Sequence, residues 1–234
     1  MKDLLSWIFV PKCAVCKKRL APDCNVLLCN ECLLRWEREK DGDCPICGQK
    51  NDRCWCGIKL DSKGAIYAER HLSYYSSSVE SATKRIILGM KRKLDKRIAD
   101  MISRELAEIV TGDIGTENTV IVHVPRSVAS IRYYGFDQSL ILAEGIAKLL
   151  DIPHLSPIIH KGKAVQKKLS LTERQINARK SYFLDKERSL GIKGSTVILV
   201  DDVVTTGATA ARCASLLKRA GAKRIYMLSI AKVY

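Results

Sequence analysis

The chain has 234 residues, room for one ordinary domain and a small module beside it. Lysine and arginine number 40 against 25 acids, a formal net charge of +15, and that excess implies a polyanionic partner such as nucleic acid or polyphosphate. No run approaches the roughly 20 apolar residues of a membrane span, and the apolar run in residues 1–10 is too short for a secretory signal. The ten cysteines come mostly as C-x-x-C pairs, which favours metal over disulfides. The expected location is therefore the cytoplasm, with the inner face of the membrane within reach.

Nine of the ten cysteines lie between Cys13 and Cys56. They form the pairs Cys13/Cys16, Cys29/Cys32, Cys44/Cys47 and Cys54/Cys56, with Cys24 left over. Two C-x-x-C knuckles complete a tetrahedral all-sulfur zinc site. Pairing in chain order gives two ribbons, while an interleaved cross-brace of the first pair with the third fits the spacing equally well. A segment this short has too few apolar residues to fold unaided, so the metal is expected to be structural. No His, Asp or Glu stands in ligand register for a catalytic site. Trp36 and Trp55 read as apolar fillers, with base stacking as the alternative. The expected organisation is a zinc ribbon module over residues 1–60 and a second domain over 61–234, joined by a linker at 57–66.

Tyr67–Tyr75 reads as an edge strand. Helical periodicity follows through Ile86, Ile87 and Met90, then through Ile98, Met101, Ile102, Leu106 and Ile109. Between Lys84 and Arg104 stand eight basic residues and two acids, densest at Lys91, Arg92 and Lys93. Two readings fit: a solvated helix face, or a polyanion contact that also uses Lys84 and Arg85. Thr119–Val124 is a short buried strand closed by Pro125, Arg126 and Ser127. An amphipathic helix spans Gln138–Leu150, with Asp137 as its N-cap. Lys161–Lys180 holds seven basic residues and one acid, Lys167 and Lys168 among them. It suits either a mobile hood over an anion or a charged surface loop.

The informative stretch is Thr196–Thr209. Val197–Val200 reads as a fully buried strand with Asp201 and Asp202 at its end. A loop from Thr205 through Thr206, Gly207 and Ala208 to Thr209 opens a helix that runs to about Ala220 and stops at Gly221. A last strand covers Arg224–Ile230. Unpaired N–H groups at a helix start attract an anion, and Gly207 admits a phosphate without a Cβ in the way. The threonine hydroxyls add donors there. The two carboxylates supply acceptors for ribose hydroxyls, and ligands of open α/β sheets sit beyond the carboxyl ends of the strands.

This stretch resembles the 5-phosphoribosyl-1-pyrophosphate (PRPP) motif of type I phosphoribosyltransferases. Arg132-Tyr-Tyr-Gly-Phe-Asp-Gln138 ahead of a helix, with Gln166, Leu169, Ser170, Arg174 and Asn177, is similar to the ComF family, though Asp137 stands where that family mostly has Asn. The resemblance implies an α/β fold, a Rossmann-like parallel sheet of the type I phosphoribosyltransferase kind, carrying an N-terminal all-Cys zinc ribbon module. It implies a PRPP site of Asp201, Asp202, Thr205, Thr206, Gly207, Ala208 and Thr209, with Arg126 and Ser127 on the pyrophosphate. Mg²⁺ would accompany PRPP, and Asp201, Asp202 and Arg126 would serve any turnover. It further implies a role in natural transformation, with single-stranded DNA and helicase-like and strand-protecting proteins as partners. The alternatives are a nucleobase salvage transferase and a PRPP sensor without turnover.

Overall fold

The computed structural model describes residues 10–21, 26–44, 47–50, 64–75, 78, 81–92, 94–162 and 170–233, with Arg92 and Leu171 as backbone alone. Cys24, Cys54, Cys56, Trp55, Lys93, Gln166, Lys167, Lys168, Leu169 and the expected boundary at residue 60 lie outside these. A parallel five-stranded sheet organises the chain. It consists of β1 (Ala68–Tyr74), β2 (Thr119–His123), β3 (His154–Leu155), β6 (Thr196–Val204) and β7 (Arg224–Lys232), in the order β1-β7-β6-β2-β3. An antiparallel ribbon of β4 (Ile158–His160) and β5 (Tyr182–Leu184) stands apart.

The apolar run in β6 follows from its central place. Ile198 and Val200 join one core cluster, while Val197 and Leu199 join the other. Side chains alternate across a strand, so a strand covered on both faces must be apolar at every position. The first cluster packs α2 (Ala82–Arg92), α3 (Lys96–Ile109) and α5 (Gln138–Leu150) on the sheet through Ile86, Met90, Ile102, Leu106 and Ile146. The second packs α7 (Ala208–Arg219) on the opposite face through Cys213, Ala214 and Leu217. The expected α/β architecture is present, with β1 at the sheet edge.

Four elements differ from the sequence reading. The strand β6 continues past the carboxylates, because Val203 and Val204 still pair with Ala231 and Lys232. Asp201 and Asp202 therefore sit inside a strand rather than at its end. Residues 171–181 form helix α6, where a loop or hood was expected. Ser170 and Glu173 build a capping box that starts it: the Ser170 Oγ accepts from Glu173 N and the Glu173 carboxylate accepts from Ser170 N. A short helix α4 (Val128–Tyr134) fills the segment after the β2 loop, capped by Ser127 and ended by Gly135 at φ 84°. Finally, α3 runs on into a π-turn at Val110–Ile114.

The described N-terminal residues share the main core rather than forming a separate one. Helix α1 (Asn30–Lys40) buries Cys32 and Trp36 against the first cluster. Trp36 is fully buried, and its Nε1 donates to Glu105 Oε1 at 3.0 Å. At the end of α1, the Glu39 carboxylate accepts from the backbone N–H groups of Ala82 and Thr83, both at 2.8 Å, and from the Thr83 hydroxyl at 2.6 Å. The orphan donors of α2 are thus capped from another element. Glu39→Ala should lower stability by about 1–3 kcal/mol, in the range of a lost charged cap, with Glu39→Gln retaining part of it. Urea unfolding read by Trp fluorescence checks this.

Candidate functional site

Four stretches converge at the carboxyl end of the sheet. The loop after β2 brings Arg126, the end of α2 brings Lys91, the start of α5 brings Ser139, and β6 brings the two acids. Arg126 Nη2 stands 2.6 Å from Asp202 Oδ2, and Lys91 Nζ at the end of α2 lies 3.3 Å from the same oxygen. Asp202 Oδ1 accepts from Val203 N at 2.8 Å. Asp201 Oδ1 accepts from Ser139 Oγ at 2.9 Å and from Asp202 N at 2.8 Å.

The adjacent acids have opposite environments. Burial raises both, but the Lys91 and Arg126 charges outweigh it at Asp202 and hold that carboxyl below its usual range. At Asp201, burial and the neighbouring Asp202 charge push the carboxyl well up, and the Ser139 hydroxyl offsets only part. One acid is thus held charged by its ion pairs, while the other is favoured in its neutral form. Asp137 anchors the arrangement. Its Oδ2 accepts from Arg126 N at 2.8 Å, and its Oδ1 caps α5 at Ser139 N and Leu140 N.

A cleft of about 710 Å³ opens above the acids. Arg126, Ser127, Tyr133 and Tyr134 line it, together with His160 and Tyr182 from the β4–β5 ribbon. The His160 and Tyr182 rings meet edge-on at 4.8 Å, and His160 Nδ1 is buried without a partner. Beside the cleft, Thr205, Thr206, Gly207 and Ala208 line a smaller hollow of about 50 Å³, which shares Asp201 and Thr209 with the cleft. Gly207 adopts φ 72°, a left-handed conformation that a Cβ would oppose. Gly207 is the N-cap of α7, whose first residues, Ala208–Ala210, line the hollow, and the unpaired N–H groups of a helix start favour an anion.

Asp201, Asp202, Arg126, Ser127 and Thr205 through Thr209 are therefore brought together. Ser127 contributes mainly as a cap: its Oγ accepts from Ser130 N at 3.1 Å. Among the basic residues singled out by sequence, Lys91 points into the acid pair, while Lys84 and Arg85 sit half-buried about 10 Å away in the first turn of α2. The sequence reading missed Ser139, Tyr182 and His160 as site residues, and it took Lys91 for a polyanion contact rather than the partner of Asp202. Only Ser139 carried a local signal, as the first residue after Gln138 behind an N-capping acid.

A second site lies in the N-terminal segment. The Sγ atoms of Cys13, Cys16, Cys29 and Cys32 all lie within 4.8 Å of one another, with Cys16 and Cys29 at 3.7 Å. A tetrahedral metal with sulfur at about 2.3 Å requires sulfurs roughly 3.8 Å apart, so the set fits. The first pair joins the second, which removes the cross-brace for these four. Burial raises the Cys13 thiol, yet N–H groups of Cys16, Cys29 and Val15 outweigh it and bring it down to about 6. Cys44 begins a second knuckle of matching backbone. Its N–H donates to Gln49 O and its carbonyl accepts from Gly48 N, as Cys13 does with Lys18 and Lys17.

The sign of the Asp201 shift gives a stability test. A raised folded-state value means that stability falls as pH rises from about 4, the ordinary carboxylate range, through the folded value. Asp201→Asn should raise the urea midpoint at pH 8, and the gain should shrink as pH approaches 4. Urea unfolding at several pH values checks it.

Residues 94–232 match the family described as phosphoribosyl transferase domain. The chain is 24% identical over 206 residues to "Competence protein F" of Haemophilus influenzae, covering 80% of this chain and 85% of that protein. It is 24% identical over 212 residues to "Competence protein ComFC" of Streptococcus pneumoniae, with 88% and 87% covered. To "DNA utilization protein YhgH" of Salmonella typhimurium the identity is 27% over 226 residues, covering 91% and 93%. The parallel sheet, the acid pair before the α7 loop and these likenesses over most of each chain agree: the chain belongs to the phosphoribosyl transferase domain family and, within it, to the ComF family.

Proposed function

We propose that this protein is a DNA-uptake factor of the competence type that binds PRPP with Mg²⁺ in the cleft and single-stranded DNA on its basic surface. The reading rests on the names of its relatives for the process and on one observation for the ligand. That observation is the acid pair Asp201–Asp202 between a 710 Å³ cleft and the Gly207-turned start of α7.

The parts suit a phosphorylated ribose in order. The N–H groups and hydroxyls of Thr205, Thr206 and Thr209 suit the 5-phosphate. Asp201 suits the ribose hydroxyls, because an acceptor already held by Ser139 needs no rotation to meet them. Arg126 and Lys91 suit the pyrophosphate, which would draw both cations from Asp202 and leave that carboxylate to Mg²⁺-bound water. Mg²⁺ supplies neutralisation of the pyrophosphate charge. Zinc suits Cys13, Cys16, Cys29 and Cys32 as a closed structural site, and Cys44 with Cys47 suits a second, completed by Cys54 and Cys56. Four clustered free thiols also suit a reducing cytoplasm. Among the described residues no helix is long and apolar enough to cross a membrane.

Titration calorimetry of PRPP with Mg²⁺ is the deciding measurement. The wild type should bind PRPP, and the double variant Asp201→Ala, Asp202→Ala should lose binding while keeping its metal content. Normal binding by the double variant removes the assignment. Pyrophosphate release upon adding a free base would instead favour the salvage transferase. Separately, Cys29→Ser should release one zinc per chain, measured by atomic emission, and lower the thermal midpoint.

A further inference from the structure

The helix α4 on the rim of the cleft is unusual in burying none of its seven residues. Its sequence, Val128–Tyr134, is largely apolar and aromatic, yet Val128 is 54% exposed, Ile131 36% and Tyr133 81%. Such a helix gains little from packing on its own domain. It is held instead by its ends, with Ser127 capping the start and Gly135 the finish. Arg132 is also exposed, and the helix carries no acid.

The aromatic pair on α4 is fixed in orientation. The Tyr133 and Tyr134 rings meet edge-to-face at 4.8 Å and 86°, and the Arg126 guanidinium lies 5.6 Å from the centre of the Tyr134 ring. Tyr134 is therefore clamped between Tyr133 and the cation that pairs with Asp202. Tyr133 presents its ring to solvent at little further entropic cost, because its neighbour already orders it.

We infer that Tyr133 is a stacking platform for a base of single-stranded nucleic acid at the mouth of the cleft, with Arg132 on the adjoining backbone phosphate. Exposed aromatics beside cations are the elements by which proteins hold single strands without sequence preference, since every base has a π-face and every linkage a charge. Charge selects this occupant over an apolar peptide: a helix without acids, on a chain of net charge +15, complements a polyanion. The location differs from the basic stretch on α2. There Lys91 is taken up by Asp202, whereas α4 stands open at the rim of the phosphate cleft. A strand on Tyr133 lies one ring away from the Arg126–Asp202 pair, so strand and PRPP meet at a shared side chain.

This inference rests on the proposed strand-binding function and is tested separately from it. Full-length zinc-loaded protein is titrated into fluorescein-labelled oligo(dT), read by anisotropy at several salt concentrations. Tyr133→Ala should weaken binding by roughly 5- to 100-fold, with Tyr133→Phe near wild type, because stacking needs the ring and not the hydroxyl. Arg132→Ala should lower the slope of log affinity against log salt by about 0.7, the value for one single-strand phosphate. Leu190→Ala, a comparable truncation at an 83% exposed residue beside Gly191, which accepts from Ser195 Oγ at the amino end of β6, and outside the cleft lining, should change nothing. Wild-type binding that is indifferent to Tyr133→Ala overturns the platform while leaving strand binding in place. A wild type with no affinity for oligo(dT) overturns both.

Discussion

Two carboxylates in consecutive positions of a central strand are an electrostatic problem that much of this structure is arranged to solve. Asp202 is only 8% exposed, with little water to screen it, and the half-buried Asp201 lies beside it. The compensation comes from three other elements: Arg126 from the loop after β2, Lys91 from the end of α2, and Ser139 from the first turn of α5. Asp137 holds the Arg126 backbone and the α5 start together, and Gln138 Nε2 donates to Met90 O, beside Lys91. Buried ion pairs of this kind contribute little net stability, because desolvation consumes most of the attraction. What they fix is position. Arg126 and Lys91, the two cations that neutralise Asp202, are the ones that the proposed PRPP pyrophosphate would recruit.

Helix α2 links this network to the metal-type cluster at the other end of the chain. Its first turn is capped by Glu39 of α1, and its last turn carries Lys91 to Asp202. Helix α1 in turn begins at Cys29, one of the four clustered cysteines, and buries Trp36 in the main core. The described N-terminal residues are therefore a structural part of the α/β unit. The cluster fixes where α1 starts, and α1 fixes where α2 starts.

Much of the fold was readable because its signals are local. Apolar runs bounded by polar turns marked β2 and β6, helical periodicity marked α2, α3 and α5, and Asp137 marked a cap that the structure contains. The misreading of residues 170–181 came from composition: seven basic residues over Lys161–Lys180 looked like a loop, although Ser170 and Glu173 spell a capping box. The extension of β6 through Val204 was hidden for a different reason. Charged residues interrupt the apolar pattern there, and only pairing with β7 keeps the backbone extended.

Sequence by itself determined the acid–threonine–glycine order at the start of α7 and the cysteine pairs, because each depends on residues within a few positions of one another, and it implied the fold class through the family resemblance that its motifs carry. It could not decide which cysteine pairs join, since both connectivities suit the spacing and only the fold of the turns brings Cys13 and Cys16 to Cys29 and Cys32. It could not place Lys91 on Asp202, 111 positions further on, or set His160 against Tyr182 in the same cleft as Arg126. Those contacts exist because helices packed on a twisted sheet return distant residues to its carboxyl edge. A charge looking outward in sequence was, in space, the counter-ion of the site.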